Sequence, residues 1–318
     1  MSLLEIENAK MYYELADNRF VKAVDDVSFS LEKGKSLGIV GESGCGKSSL
    51  AITILRLLPQ NAKIMGGQIK FRGKNIFAMS DSELRTEIRW KHISMVFQGA
   101  MNVLHPVHKI GDQIVEAILA HEKVTKQEAW KRTRELLALV GIDPSRAKNY
   151  PHEFSGGMRQ RTVIAAALAL NPDVVIADEP TTALDVVVQA QIIKLLEELK
   201  KRLALSIILI SHDVSIISEM SDKVLVMYAG QVVEYGSSED VFLSPLHPYT
   251  IALLASVPSI KGKRQRLASI KGVPPNLANL PIGCRFAPRC PRAKPECSGQ
   301  EPQLRKIEKE HYVRCFLY

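Results

Sequence analysis

The feature that most constrains this chain is the run Gly41-Glu-Ser-Gly-Cys-Gly-Lys-Ser48, which matches the pattern G-x-x-x-x-G-K-[ST]. It stands between Leu37-Gly-Ile-Val40, an apolar run that reads as a short buried strand, and Lys47 to Leu58, an apolar-rich helix stopped by Pro59. Glycines let successive backbone N–H groups converge on phosphate oxygens with no Cβ in the way, and the helix N-terminus adds partial positive charge. Lys47 is expected to reach the terminal phosphates of a nucleotide, and Ser48 to ligate Mg²⁺. A plain Gly-rich strand-to-helix turn is the alternative, made weaker by eight matched positions in the required context.

A second constraint lies about 130 residues on. Val174-Val-Ile-Ala-Asp178-Glu179 is an apolar strand ending in two carboxylates. Near a phosphate loop, Asp178 is a candidate Mg²⁺ partner and Glu179 a candidate general base for an attacking water. Two acids at a strand end also occur as a helix cap or a solvated turn. Ser155-Gly-Gly-Met-Arg-Gln160 opens a helix expected from Gln160 to Leu170, a second loop-to-helix anion site built from Ser155, Gly156 and Gly157. Two such starts in one chain suggest one nucleotide held between two copies; alone, the second is a good N-cap.

Around these motifs the pattern is that of an α/β protein. Ala23 to Leu31 and Glu32-Lys-Gly-Lys35 read as antiparallel strand and turn. From about Ser80 to Leu170 the pattern is mostly helical, with a Ser80/Glu83 capping box and helical spacing from Asp112 to Val140. Strands and helices then alternate through Val187 to Leu203, Leu205 to Ile210 and Val224 to Tyr228, implying a mainly parallel sheet covered by helices.

No apolar run reaches the roughly 18 residues of a membrane span, and the opening residues carry no basic-then-apolar leader, so the expected location is the cytosol. The net charge of +8 is uneven: residues 259–318 carry +9, and residues 1–258 carry −1. The tail also holds seven of the 16 prolines and four of the five cysteines. A boundary near 258 is expected, with a nucleotide-binding domain at 1–258 and a small module at 259–318.

Taken together, the motifs resemble the ATPase subunit of ABC transporters over nearly the whole chain. The resemblance rests on Gly41 to Ser48 (Walker A), Phe97-Gln98 (Q-loop), Phe154-Ser-Gly-Gly-Met158 (signature), Val174 to Glu179 (Walker B), Ala183-Leu-Asp185 (D-loop) and Ser211-His212-Asp213 (switch), in family order. It implies an ABC ATPase fold: a RecA-like P-loop core, an antiparallel β subdomain and a helical signature subdomain at about 80–170. It further implies ATP contacts from Ser43, Gly44, Cys45, Gly46, Lys47, Ser48 and Ser49, and a Mg²⁺ set of Ser48, Gln98 and Asp178. Glu179, Gln98 and His212 are implied in catalysis, and Ser155, Gly156 and Gly157 would meet the opposite nucleotide. Tyr13, or its neighbour Tyr12, matches the adenine-stacking aromatic, with a strand-pairing role as the alternative. Phe154 and Met158 depart from the usual Leu-Ser-Gly-Gly-Gln wording but leave Ser155 and both glycines intact, and Cys45 departs from the commonest phosphate-loop wording at a variable position.

Phe97 to Pro106, Ile110 to Ala117, Pro245 to Thr250 and Cys284-Arg-Phe-Ala-Pro-Arg-Cys-Pro look like the dipeptide, oligopeptide and nickel uptake group. The implied function is an ATP-hydrolysing subunit powering peptide import, with nickel or another small solute as the alternative cargo. The implied partners are a second related ATPase subunit or a second copy, two transmembrane permeases and, indirectly, an extracytoplasmic peptide-binding protein; the location is peripheral, on the cytoplasmic face of the membrane. A soluble ABC ATPase using the basic tail on DNA or ribosomes is a further reading. One cassette and no heptad run argue against it, so no nucleic-acid partner is expected.

Cys284, Cys290, Cys297 and Cys315 lie in a chain expected to be cytosolic, where clustered cysteines more often bind metal than pair. Their spacing misses the zinc knuckle. A 4Fe-4S cluster tolerates irregular loops, and its net charge of about −2 would suit the nearby Arg285, Arg289, Arg292, Lys294 and Arg314. Reduced structural thiols, zinc and disulfides are the alternatives.

Overall fold

The computed structural model of the chain describes residues 2–99, 103–256 and 270–318. Its first half contains β1 (Ser2–Glu14), β2 (Phe20–Glu32), β3 (Ser36–Val40), α1 (Lys47–Ile54), β4 (Ala62–Phe71), β5 (Lys74–Asn75), α2 (Asp81–Glu83), β6 (Ile93–Val96), α3 (Ile110–His121) and α4 (Lys126–Leu139). Then follow α5 (Gly156–Ala167), β7 (Val174–Asp178), α6 (Val186–Leu203), β8 (Ser206–Ile210), α7 (Val214–Met220), β9 (Lys223–Tyr228), β10 (Gln231–Ser237), α8 (Ser238–Leu243), α9 (Pro248–Ala255), β11 (Arg305–Glu308) and β12 (His311–Val313). These pack as two compact units. One comprises the residues up to Leu31, Ser36–Phe77 and those from Ser211 on; the other comprises Glu32–Lys35 and Ala78–Ile210.

In the first unit, β2, β1, β4 and β5 form an antiparallel sheet in that order. Leu4, Ile6 and Met11 of β1 are buried on it, and Ile6 stands opposite Ile69 of β4. The alternation of apolar and polar residues thus becomes a sheet with one covered face. A second set of strands runs β11-β12-β10-β9-β3, with β3 parallel to β9 and every residue of β3 buried. The tail contributes here, because Val313 and Tyr312 of β12 pair with Glu234 and Tyr235 of β10. Glu234 is fully buried and accepts from the His311 ring nitrogen at 2.8 Å and from the backbone N–H groups of Leu246 and His247, each at 2.8 Å. One carboxylate therefore joins three segments, its buried lone pairs satisfied. The boundary expected near 258 falls in 257–269, outside the described residues.

The second unit holds β8, β7 and β6 as parallel neighbours, so that Asp178 stands level with Ile210 at the carboxyl ends of the strands. The capping box expected at Ser80 is present, with both the Glu83 N–H to Ser80 Oγ bond and the return bond. Three local expectations shift. Asp112 to Val140 is two helices, because Thr125 and Glu128 form a capping box that restarts the chain at Lys126. Ile93-Ser-Met-Val96, inside the stretch read as helical, is strand β6: too short to show a period, it is fixed by pairing with β7. The first helix ends at Ile54 instead of Leu58, with Arg56 in the left-handed region at φ 49°. Among the described residues, no helix is long and apolar enough to cross a membrane.

Candidate functional site

In the first unit the phosphate loop leaves β3 and enters α1 through Gly46, whose φ of 108° glycine adopts at little cost and other residues do not. A Cβ there would stand 2.0 Å from the carbonyl oxygen of Ala23, so close backbone approach and left-handed conformation both demand glycine. Gly44, at φ 76°, has nothing within 4 Å of where its Cβ would be, which leaves its side of the loop open to a ligand. Ser43 and Ser48 are exposed on the rim, whereas Cys45 and Lys47 are buried. Lys47 Nζ donates to the carbonyls of Gly41 at 2.7 Å and Glu42 at 3.0 Å, which holds the ammonium beside the loop. An open glycine face, converging N–H groups and a buried ammonium fit a phosphate chain.

The two tyrosines take different partners. Tyr12 donates to Asp25 at 2.6 Å, whereas the Tyr13 hydroxyl lies 3.1 Å from Ser49 Oγ, beside the first turn of α1. Burial and the neighbouring Asp25 carboxylate both push the Tyr12 phenol well above its usual range, so it stays a neutral donor. His212 is exposed, two residues beyond the end of β8.

In the second unit, the Gln98 side chain donates to Glu179 Oε2 at 2.7 Å, and the Thr182 hydroxyl bonds the same oxygen at 3.0 Å. Asp178 is buried at the end of β7. Glu179 has φ 47°, a left-handed conformation that a glutamate rarely adopts. Thr182 escaped the sequence reading; only its place three residues after Glu179 hinted at it. Ser155 is the exposed N-cap of α5, accepting from the Met158 N–H at 3.4 Å, and Gly156 and Gly157 form the first turn. Phe154 turns inward and is buried, with the Arg146 guanidinium 5.1 Å above its ring, so the departure from leucine falls at a buried position. Asp185 caps α6 through a 2.9 Å bond from the Val188 N–H.

The four tail cysteines come together in the structure. Among the described residues, no group of three or more His, Cys, Asp or Glu side chains is arranged to hold a metal ion, so neither the zinc nor the 4Fe-4S expectation is shown. All five cysteines are free in this structure. Cys284, Cys290, Cys297 and Cys315 do line one enclosed pocket, together with His247, Phe286 and Leu317. Burial pushes the Cys284 thiol up to about 11, and raises Cys290 and Cys315 as well, so unligated thiols there stay protonated. Three of the basic residues expected to balance a cluster are engaged elsewhere: Arg285 with Asp25, Arg289 with Glu42 and Arg314 with Asp26. Only Arg292 and Lys294 of that set line the pocket.

The phosphate loop between β3 and α1, the acids ending β7 and the Ser-Gly-Gly start of α5 together define a P-loop ATPase of the ATP-binding-cassette class. Residues 24–182 match the family described as ABC transporter, and residues 233–297 match the oligopeptide/dipeptide transporter C-terminal region. The chain is 46% identical to the oligopeptide transport ATP-binding protein AppD of Bacillus subtilis (strain 168), over 100% of this chain and 97% of that one. It is 48% identical to the dipeptide transport ATP-binding protein DppD of the same organism, over 93% and 89% of the two chains. Among solved structures it resembles the dimeric ATP-binding cassette MJ0796 bound to ADP and Pi (TM-score 0.66, 26% identity, 74% of this chain and 98% of that one). It also resembles cbiO1 from Clostridium perfringens (TM-score 0.65, 30% identity, 76% and 91%). The chain belongs to the ABC transporter ATP-binding proteins, within the family that carries the oligopeptide/dipeptide C-terminal region.

Proposed function

We propose that this protein is the ATP-hydrolysing subunit of a peptide importer. The observation that carries this reading is the 46% identity to an oligopeptide transport ATP-binding protein over the full length of the chain, tail included. The subunit sits on the cytoplasmic face of the membrane against two permeases, which an extracytoplasmic peptide-binding protein supplies. It works with a related ATPase subunit or a second copy of itself.

In this reading Lys47 and the loop N–H groups bind the β- and γ-phosphates, Tyr13 stacks on adenine, and Ser48, Gln98 and Asp178 supply hard oxygen donors of the kind Mg²⁺ takes. Glu179, held by Gln98 and Thr182, draws the proton from the attacking water. His212 donates to the γ-phosphate. Ser155, Gly156 and Gly157 of the opposite subunit close over the nucleotide, and Asp185 lines the same junction. Deleting the coding sequence in its host should abolish uptake of labelled di- or oligopeptides and leave nickel uptake intact, with plasmid-borne protein restoring transport. Loss of nickel uptake alone would transfer the assignment to metal import.

For the tail, the reading is that Cys284, Cys290, Cys297 and Cys315 ligate a 4Fe-4S cluster, supported by their convergence on one pocket where the Lys294 N–H lies 3.4 Å from Cys297 Sγ. Such a cluster would hold together a loop-rich segment and would deprotonate thiols that burial otherwise keeps neutral. Protein purified without oxygen is expected to be brown, with about four irons per chain. A colourless, iron-free protein with intact ATPase activity reduces the four residues to structural thiols.

A further inference from the structure

The phosphate loop of this chain contains an acid. Glu42 follows Gly41 directly, inside a loop that must receive a polyanion, and a carboxylate there opposes binding unless its charge is cancelled. The cancelling group comes from 247 residues away, from the cysteine-bearing tail. Arg289 Nη1 and Nη2 donate to the two carboxylate oxygens of Glu42 at 2.6 and 2.9 Å, the fork-to-fork geometry that a guanidinium alone can make.

Arg289 is held firmly in this task. Its side chain is 4% exposed, its Nε donates to the Lys271 carbonyl at 2.9 Å, and Nη1 also reaches the Tyr228 hydroxyl at 3.2 Å. The Glu42 carboxylate raises the Arg289 guanidinium above even its usual range, so the arginine stays charged. Glu42 is fixed along its backbone as well: its N–H donates to the Tyr249 hydroxyl at 2.8 Å and its carbonyl accepts from Lys47. Tyr249 packs on Phe286, a wall of the cysteine pocket, with ring centroids 5.4 Å apart. The tail therefore grips one phosphate-loop residue by its charge, and α9, packed on the tail's Phe286, holds the backbone of the same residue.

We propose that Arg289 is a positioning residue of the nucleotide site, which neutralises Glu42 and so lets the phosphate loop accept the charge of ATP. The tail is then part of the ATP site in function, and whatever disturbs the segment around Cys290 reaches nucleotide affinity through its neighbour Arg289.

The test compares full-length wild type, Arg289→Ala, Arg289→Lys and the double variant Glu42→Gln/Arg289→Ala, each assayed for binding of ATP and of uncharged adenosine. Arg289→Ala should bind ATP roughly 10- to 100-fold more weakly while adenosine binding changes far less. Arg289→Lys, which offers a point charge without the fork, should lie between. The double variant should recover most of the ATP affinity, since the offending carboxylate is gone. A merely structural arginine gives another pattern: the double variant would bind no better than Arg289→Ala, and ATP and adenosine would weaken together. Either of these results, or an Arg289→Ala protein with wild-type ATP affinity, overturns the proposal. If Arg289→Ala does not fold, Arg289→Lys and the double variant still decide it. Wild-type affinity for ATP reads the parent assignment separately.

Discussion

Replacing Glu179 with Gln should lower the rate of ATP hydrolysis by about 10²- to 10⁴-fold, the usual contribution of a positioned general base, while the protein still binds ATP. Gln has the shape of Glu but cannot take a proton from water at neutral pH. Its side-chain oxygen can still accept from Gln98 and Thr182, the two groups now 2.7 and 3.0 Å from Glu179 Oε2, so the local structure should hold. Single-turnover hydrolysis, with nucleotide binding measured in parallel, separates the two effects. Robust turnover by the variant would remove Glu179 from its role, and loss of binding would mean that the residue serves the ground state instead.

The largest effect on stability is expected at Arg285. Its guanidinium is 5% exposed and bonds Asp25, itself buried, as well as the Ala229 carbonyl at 2.6 Å and Glu301 at 3.2 Å. Truncation to Ala leaves the Asp25 carboxylate buried with only the Tyr12 hydroxyl, a loss of about 3–5 kcal/mol. Urea unfolding of Arg285→Ala against wild type measures it, and a loss under about 1 kcal/mol would show that water reaches the site and screens it. The same pair has a pH signature. Burial pushes the Asp25 carboxyl up, but the bonds from Tyr12 and Arg285 outweigh it and hold the group below its ordinary value. A carboxyl depressed in the folded state contributes stability that is complete above its unfolded pKa of about 3.9 and is lost as pH falls through the lower folded value. Wild type should therefore lose stability in that acidic window, and Arg285→Ala should lose less there because much of the contribution is already gone.

Much of the candidate site was legible in the order of residues. Gly41 to Ser48, Asp178 with Glu179, and Ser155-Gly-Gly are local motifs: each needs only a strand end or a helix start, and its residues lie a few positions apart. Tyr12 and Tyr13 show where that legibility stops. As neighbours on one strand they are equivalent in sequence, and Asp25 on β2 and Ser49 on α1 tell them apart. The basic tail was misread for the same reason, since adjacency in sequence suggested that its arginines surround a cluster, whereas three of them reach carboxylates between 247 and 288 residues away.

By itself the sequence determined the class of chain, the phosphate loop, the acids of the β7 end and the alternation of strands and helices, because short-range sterics, capping and hydrophobic period act within a few residues. Only the tertiary structure decided that Gln98 and Thr182 hold Glu179, that four scattered cysteines share one pocket, and that Arg289 forks onto Glu42. Charge pairing and burial act through space, and the partner of a charge is chosen by the fold that brings it near.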